Sequence, residues 1–280
     1  MMTIPKLPVG EAIEGGIEFL SSNFSFATKA FAEVVEAGID VIVSVMMFFH
    51  PLALIAIVAI LVWLVTRQKG LTIFTALGLL LILNFGLWGP AVSTVALVVV
   101  ATIIAIIIGL PLGILAALNK TAYRVTMPIL DFMQTMPAFV YLIPAIPFFG
   151  LGVVAAIFST VIFSVPPCIR LTCLGIRQVP TELIEAADSF GSSKRQKLFK
   201  LQLPMAITTI MAGVNQTIML GLSMVVIASM IGAKGLGGEV WRAIQRLDPA
   251  SGFDAGIGIV IIAIILDRTM QSFGSTKSAK

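Results

Sequence analysis

Residues 181–204, TELIEAADSFGSSKRQKLFKLQLP, form a polar segment between two long apolar runs. Thr181 is a suitable N-cap for a helix starting at Glu182, whose acidic side chain suits the positive end of the helix dipole. Gly191 can adopt the left-handed conformation that ends such a helix, and a second, basic helix follows it. Pro204 needs no amide donor at the start of the next apolar run. The segment therefore predicts a helical hairpin between two apolar helices.

The composition of the whole chain is that of a membrane protein. Of its 280 residues 58% are apolar and 11% charged, whereas a soluble domain has about 45–50% and about 25%. Disorder requires the opposite balance. Two cysteines and one histidine cannot build a disulfide framework or a Cys/His zinc site. Since roughly 20 apolar residues cross a bilayer core, we predict an all-α integral membrane protein with about seven spans, at 45–65, 71–88, 91–118, 127–149, 152–171, 204–231 and 251–270.

The basic residues predict how these spans are oriented. Thirteen of the eighteen fall on one side of the predicted membrane: Arg67, Lys69, Lys120, Arg124, Arg170, Arg177, Lys194, Arg195, Lys197, Lys200, Arg268, Lys277 and Lys280. The other five are Lys6, Lys29, Lys234, Arg242 and Arg246. Because cytoplasmic loops carry the excess of Lys and Arg, the N-terminus is predicted outside and the C-terminus inside. The positive net charge is then explained without a nucleic-acid surface.

The first 44 residues differ from the rest of the chain. Glu11, Glu14 and Glu18 occupy the place of the basic region of a signal peptide, so a cleaved leader is not expected. Apolar residues recur at nearly helical spacing opposite the glutamates. This pattern predicts an amphipathic helix on the outer leaflet or against the bundle, with a break at 21–23. A solvated leader containing some apolar residues is the alternative interpretation.

The predicted membrane interior is almost free of charge. No Asp, Glu, Lys or Arg occurs in residues 71–119, 132–169, 204–233 and 255–266. Proton-driven carriers need ionisable groups at membrane depth, so a source of free energy outside this chain is favoured. The chain has no G-x-x-x-x-G-K-[ST] loop to bind phosphates. A tight turn is predicted at Gly232, Gly235, Gly237 and Gly238.

The spacing within the hairpin is more informative than its composition. Glu185-Ala186-Ala187 is followed by Gly191 after three residues, and by Leu201-x-Leu203-Pro204 after nine more. The chain thereby resembles ABC importer permeases, whose E-A-A-x-x-x-G-x9-I-x-L-P pattern it matches with Leu in place of the usual Ile. The resemblance implies a loop that docks on a partner ATPase. The implied coupling residues are Glu182, Glu185, Ala186, Ala187, Gly191, Arg195, Leu203 and Pro204.

Three further stretches, 131–147, 166–180 and 212–230, are similar to the permeases of glycine betaine/proline importers. The resemblance covers about residues 71–273 and implies a type I importer permease fold in a prokaryotic cell membrane. It also implies a homodimer of this permease, two cytoplasmic ATPase subunits that bind ATP and Mg, and an extracellular or lipid-anchored binding protein. The chain itself would hold no cofactor and no metal. The implied function is uptake of glycine betaine, proline betaine or proline for osmoprotection.

The resemblance divides the chain into four parts. Residues 1–44 are expected to be the extracytoplasmic amphipathic segment, and 45–90 to be peripheral transmembrane helices. Residues 91–273 are expected to be the core transmembrane domain, with a cytoplasmic coupling loop at 172–203. Residues 274–280 would form a cytoplasmic tail.

Two groups of residues are candidates for lining the translocation pathway. Pro137 removes an amide and frees the carbonyl of Met133, and free carbonyls at membrane depth must be satisfied by protein or water. Aromatic rings nearby attract a quaternary ammonium by roughly 0.5–2 kcal/mol per contact, although packing would also explain them. Polar groups of the sixth span either touch solute or hydrogen-bond between helices. The candidates are Met133, Gln134, Pro137, Phe139, Tyr141, Asn215, Gln216, Met219 and Ser223.

Other functions stay open at this stage. The same pattern suits a choline or carnitine importer permease. An ion-coupled carrier acting alone is a different class, and it would work in vesicles without ATP. An enzyme is not expected, because no nucleophile–base pair or metal cluster is evident.

Overall fold

A computed structural model describes residues 9–23 and 25–275 of the chain. All regular elements in that part are helical, which confirms the predicted all-α class. The helices are α1 Val9–Asn23, α2 Ser25–Phe48, α3 Pro51–Thr66, α4 Lys69–Asn84, α5 Trp88–Leu118, α6 Lys120–Thr135, α7 Leu142–Phe149, α8 Val153–Arg177, α9 Thr181–Ser189, α10 Lys194–Lys197, α11 Leu203–Ser229, α12 Leu236–Arg246 and α13 Pro249–Ser275. A 3₁₀ turn, Ala138–Tyr141, precedes α7, and a π-helical turn, Leu198–Gln202, joins α10 to α11. The predicted tail 274–280 falls outside the described residues from 276 onward.

Fewer helices than expected are long enough to cross a membrane unaided. Within the described residues these are α5, α8, the stretch Lys194–Ser229 and α13, four in all. Two bent helix pairs raise the number to six if each pair is one span, while α4 is shorter, with 16 residues. The prediction of a multi-pass helical protein is confirmed, whereas seven separate spans are not.

Two of the predicted spans are wrong as continuous helices. Span 45–65 is broken between α2 and α3 by a bend of 106°. Span 127–149 is broken after α6 by a bend of 112°. His50 and Met136 each precede a proline and have extended ψ values of 137° and 135°. Because a proline disfavours the helical conformation of the residue before it, both helices end at these positions.

The core is formed by α5, α8 and α11, which pack closely through small residues. A Cβ atom on Gly109 of α5 would lie 2.8 Å from the Sγ of buried Cys168, and one on Gly113 would lie 2.6 Å from Thr172. On α11, Gly213 faces the main-chain carbonyl of Pro167 in the same way, at 3.1 Å. Small residues allow helix backbones to approach where lipid supplies no hydrophobic driving force.

The described part of the N-terminal segment is helical and consists of α1, Val9–Asn23, and α2, Ser25–Phe48. Helix α2 extends beyond the predicted end at residue 44 and buries Val35, while Glu33 and Glu36 are exposed. Its Phe31 ring lies 5.5 Å from that of Phe149 and 6.2 Å from that of Phe158. Phe31 and Val35 therefore pack against the bundle, whereas Phe26 and Val34 of the same helix are 86% and 71% exposed. The amphipathic helix on the outer leaflet stays a prediction.

The glycine-rich stretch after α11 forms the predicted turn at Gly232 and Gly235, but the prediction is wrong for Gly237 and Gly238, which lie in the first turn of α12. Gly235 has φ of +138°, and a Cβ there would lie 2.6 Å from the hydroxyl of Thr94. The amide of Leu236 donates to that hydroxyl at 2.8 Å. Gly237 approaches the main-chain carbonyl of Val225, which a Cβ would meet at 2.4 Å. The turn thus ties α11 and α12 to the start of α5.

Candidate functional site

The hairpin begins with α9, an exposed helix of nine residues, Thr181–Ser189. It starts one residue earlier than predicted, because Pro180 is the N-cap and Thr181 is already helical, so the proposed Thr181 cap is wrong. Glu182 lies in the first turn as expected, and none of the nine residues is buried. Phe190, just after the helix, is 91% exposed. Helix α9 therefore presents a free surface with apolar and acidic groups.

The end of α9 has the geometry predicted from Gly191. This residue has φ of +73°, and its amide donates to the carbonyl of Asp188 at 2.9 Å. The Ser192 amide reaches back to the carbonyl of Ala187 at 3.0 Å. The pair of bonds is a Schellman motif, which satisfies carbonyls that the helix end leaves free. The chain reverses direction sharply at this position.

The second half of the hairpin continues directly into the core. Ser193 and Gln196 cap α10 reciprocally, and the ammonium of Lys197 binds both oxygens of Asp188, the second at 2.7 Å. From Lys194 to Ser229 the chain runs as a single helical stretch of 36 residues that includes the π-helical turn. Leu198 is buried in a small apolar cluster with Ile176, Ala206 and Ile210. The second half of the hairpin is thus continuous with α11.

The coupling residues predicted from the sequence lie on both halves of this hairpin. Glu182, Glu185 and Ala186 are exposed on α9, and Ala187 is half-buried. Arg195 is exposed, with its guanidinium 5.9 Å from the centre of the Phe199 ring. Leu203 and Pro204 form the first turn of α11. The hairpin therefore brings this set into one continuous element.

The break after α6 is where the first group of pathway candidates lies. The hydroxyl of buried Tyr141 donates to the carbonyl of Met133, which Pro137 leaves without its helical partner. Ser159 of α8 donates to the carbonyl of Tyr141 at 3.1 Å. Gln134, Pro137 and Phe139 are exposed. Protein groups thus satisfy the freed carbonyl, and the Tyr141 ring packs 5.7 Å from that of Phe163.

The second group lies about a cavity of about 490 Å³ between α11 and α13. Asn215, Gln216 and Met219 line it, whereas Ser223 does not and instead donates to the carbonyl of Met219. No residue from 133 to 141 contributes to this cavity, so the two predicted groups do not line it together, although the turn Ala138–Tyr141 contacts α11. The remaining lining residues are Thr208, Met211, Ala212, Met270 and Gln271.

Asp267 is the functional candidate that the sequence interpretation missed. Its carboxylate accepts a hydrogen bond from the amide nitrogen of Asn215 at 2.7 Å. Gln271 donates to the same carboxylate at 2.8 Å. Asp267 and Gln271 are four residues apart and therefore lie on one face of the helix. This spacing is the sequence pattern that could have predicted their hydrogen bond. The other partner of Asp267, Asn215 on α11, is 52 residues away in sequence, so no local sequence pattern predicts this contact.

A larger groove of about 820 Å³ lies between α12 and α13. Its lining is apolar apart from Asp248 at one end, and it includes Leu247 and Phe253, which are 88% and 73% exposed. Polar groups that could orient a solute are nearly absent there. The smaller cavity is therefore the better candidate for solute contact.

Comparison with known proteins identifies the family of this chain. Residues 109–272 match the family described as the binding-protein-dependent transport system inner membrane component. The chain is a permease of this family. The glycine betaine transport system permease protein OpuAB of Bacillus subtilis is 46% identical to it over 100% of this chain and 99% of the relative. The glycine betaine/carnitine transport permease protein GbuB of Listeria monocytogenes is 50% identical, with the same coverage of both chains.

A third relative and a solved structure extend the comparison. The glycine betaine/proline betaine permease ProW of Escherichia coli is 53% identical over 80% of this permease and 63% of the relative. The fold resembles that of a chain in the inward-facing MetNI methionine ABC transporter, with a TM-score of 0.62 and 22% identity. That match covers 66% of this permease and 93% of the MetNI chain. The permease therefore belongs to the glycine betaine ABC importer permeases and is not an enzyme.

Proposed function

We propose that this permease is the transmembrane subunit of an ATP-driven importer of glycine betaine or related compatible solutes, such as proline betaine and proline, for osmoprotection. The observation that carries the proposal is full-length similarity, at 46% and 50% identity, to permeases named for glycine betaine. The charge-free spans agree with it, because a zwitterionic solute needs no fixed countercharge along most of its path. ATP and Mg would bind to the partner subunit and not to this chain.

Helix α9 is the proposed contact with the ATPase. Its exposed surface has small residues, Ala186 and Ala187, that would let a groove of the ATPase approach the backbone, and Glu182 and Glu185 beside them. When ATP closes the ATPase pair, the hairpin would move with it. Since the Lys194–Ser229 stretch is one helical element, that movement would reach the α11 residues beside the cavity. This permease would act as a mechanical gate.

The proposed assembly contains two copies of this permease, two ATPase subunits and an extracellular or lipid-anchored binding protein for glycine betaine. The hairpin would face the cytoplasm, together with the C-terminus, and the N-terminus would lie outside. The excess of basic residues in the hairpin loops supports this orientation. The pathway would run along the face of α11 that carries Asn215, Gln216 and Met219, with the break at Pro137 beside it.

Co-purification and reconstitution would test the proposal. The tagged permease, expressed with its neighbouring genes, is expected to bring an ATPase subunit with it from detergent-solubilised membranes. In proteoliposomes the complex should take up glycine betaine only when ATP is present on the hairpin side. Uptake by the permease alone, without ATP, would instead support an ion-coupled carrier.

A choline or carnitine importer is the second candidate, since one full-length relative is named for carnitine as well as glycine betaine. Stimulation of ATP hydrolysis by each solute separates the two possibilities. Carnitine or choline stimulating hydrolysis at lower concentration than glycine betaine would favour the second candidate.

A further inference from the structure

The cavity between α11 and α13 is lined by uncharged residues, two of which are hydrogen-bonded to the carboxylate of Asp267. None of its lining residues is charged or aromatic, and among them are the three methionines Met211, Met219 and Met270. Asn215 and Gln271 line the cavity and both donate to the carboxylate of Asp267. Asp267 therefore lies one side chain away from the cavity, in a helix long and apolar enough to span the membrane.

The hydrogen bonding of Asn215 suggests that this arrangement serves more than helix packing. Its amide nitrogen donates to Asp267, while its amide oxygen is buried and has no hydrogen-bond partner among the residues that the structure describes. A buried acceptor without a partner costs stability. Ionisable residues in membrane-spanning helices usually mark a substrate or ion pathway. A contact needed only for stability would not retain the cost of the unpaired acceptor.

The cation paired with Asp267 is more exposed to solvent than the carboxylate is. This cation is Arg268, with its Nε 3.9 Å from a carboxylate oxygen of Asp267. Its side chain is 63% exposed and does not line the cavity, whereas the Asp267 side chain is 21% exposed. Solvent screens the exposed guanidinium more strongly than the carboxylate beside the cavity.

We infer that Asp267 determines the charge selectivity of this cavity and attracts the quaternary ammonium end of the solute toward Asn215 and Gln271. The inference rests on the proposed function for the nature of the solute. The methionine thioethers offer soft, polarisable contacts to the methyl groups of such a cation. The Thr208 hydroxyl and the Gln216 amide can donate to the carboxylate at the other end of a betaine. Asp267 acts through its neighbours and is a positioning residue.

Charge-selective labelling of a cysteine in the cavity tests the inference without the binding protein. In the permease–ATPase complex, Gln216→Cys is treated with methanethiosulfonates carrying trimethylammonium, sulfonate or a neutral hydroxyl group. The native Cys168 and Cys173 are buried, and the unsubstituted complex measures their background reaction. The trimethylammonium reagent should react several-fold faster than the sulfonate, because a nearby carboxylate attracts the cation and repels the anion.

A second substitution then separates charge from structure. Adding Asp267→Asn should bring the ratio of the two rates to about one, while Asp267→Glu should keep it. The neutral reagent should react at the same rate in all three proteins, which a change in the shape of the cavity would not allow. At Thr121→Cys, exposed and outside the cavity, Asp267→Asn should leave the ratio unchanged.

Two outcomes would overturn the inference. One is a ratio that Asp267→Asn does not change; the other is a cysteine at position 216 that no water-soluble reagent reaches. Either result can occur in a complex that still hydrolyses ATP and takes up glycine betaine, so it would leave the proposed function intact. Loss of ATP-dependent uptake in the unsubstituted complex would instead contradict the proposed function, while the labelling ratio would still report on the cavity.

Discussion

The hydroxyl of Tyr141 donates a hydrogen bond to the main-chain carbonyl of Met133, across the break at Pro137. The proline removes the amide that this carbonyl would otherwise accept from. Tyr141 is itself held by Ser159, which donates to its carbonyl. The amide of Met136 also donates to this carbonyl, at 3.3 Å. A side chain eight residues further along the chain thus adds a second hydrogen bond across the sharp bend after α6.

Tyr141→Phe should therefore destabilise the permease. The substitution removes one of the two hydrogen bonds that the carbonyl of Met133 accepts, at a cost of about 0.5–1.5 kcal/mol, while the bond from the Met136 amide stays. We expect a lower midpoint of thermal unfolding in detergent. Tyr123→Phe is a matched control, because Tyr123 contributes its ring, 4.0 Å from the Arg177 guanidinium, and the phenylalanine keeps that ring. Equal midpoints for the two variants would show that the hydroxyl of Tyr141 does not stabilise the bend.

The hairpin was predictable because its signals are local. Three features determine where its helices begin and end, and each acts within one helical turn. They are the glycine after α9, Ser193 three residues before a glutamine, and the proline at the start of α11. The left-handed Gly191 was therefore anticipated correctly. The Thr181 cap was placed one residue late because a proline can itself occupy the N-cap position.

The bent spans were not predictable from hydropathy. Residues 45–65 and 127–149 are apolar throughout or nearly so, and hydropathy carries no information about the direction of the backbone. The prolines at 51 and 137 were visible, but a proline is tolerated in a helix as well, as Pro111 in α5 shows. Which prolines end a helix depends on packing around them, such as the Tyr141–Met133 bond. Asp267 was missed for the same reason, since its partner on α11 is distant in sequence.

Substitutions at Gly191 should affect coupling according to the conformation that they permit. A Cβ there meets no atom within 4 Å, so only the positive φ opposes a side chain. Asparagine tolerates this region, whereas a β-branched valine does not. We expect Gly191→Val to reduce glycine betaine uptake per ATP hydrolysed well below the value for Gly191→Asn. Similar ratios in both variants would mean that coupling does not require the left-handed turn.

Reversing the charge of Glu185 should weaken binding of the ATPase without unfolding the permease. The side chain is exposed on α9, and surface substitutions of this kind usually change stability by no more than about 0.5 kcal/mol. Glu185→Lys should therefore lower the amount of ATPase that co-purifies, while the unfolding midpoint stays the same. The control is Glu36→Lys on α2, which is equally exposed but distant in sequence from the hairpin. Loss of ATPase from both variants, or from neither, would contradict the role of α9.

The pKa of Asp248 gives a prediction about pH. Asp248 caps α13: its carboxylate accepts from the Ser251 hydroxyl at 2.7 Å and from the Ser251 amide at 3.3 Å. These hydrogen bonds lower the pKa of this exposed carboxyl below its ordinary value. A carboxyl whose pKa is lower in the folded state stabilises the protein above its unfolded pKa, and this stabilisation is lost as the pH falls through the folded value. We expect Asp248→Ala to lower the unfolding midpoint at pH 7, and the difference from the unsubstituted permease to shrink as the pH is lowered below the ordinary carboxyl range. Asp254→Ala controls for the general effect of removing an acidic residue near the same end of α13. If the difference for Asp248→Ala stays constant down to low pH, the ionised cap does not stabilise this helix.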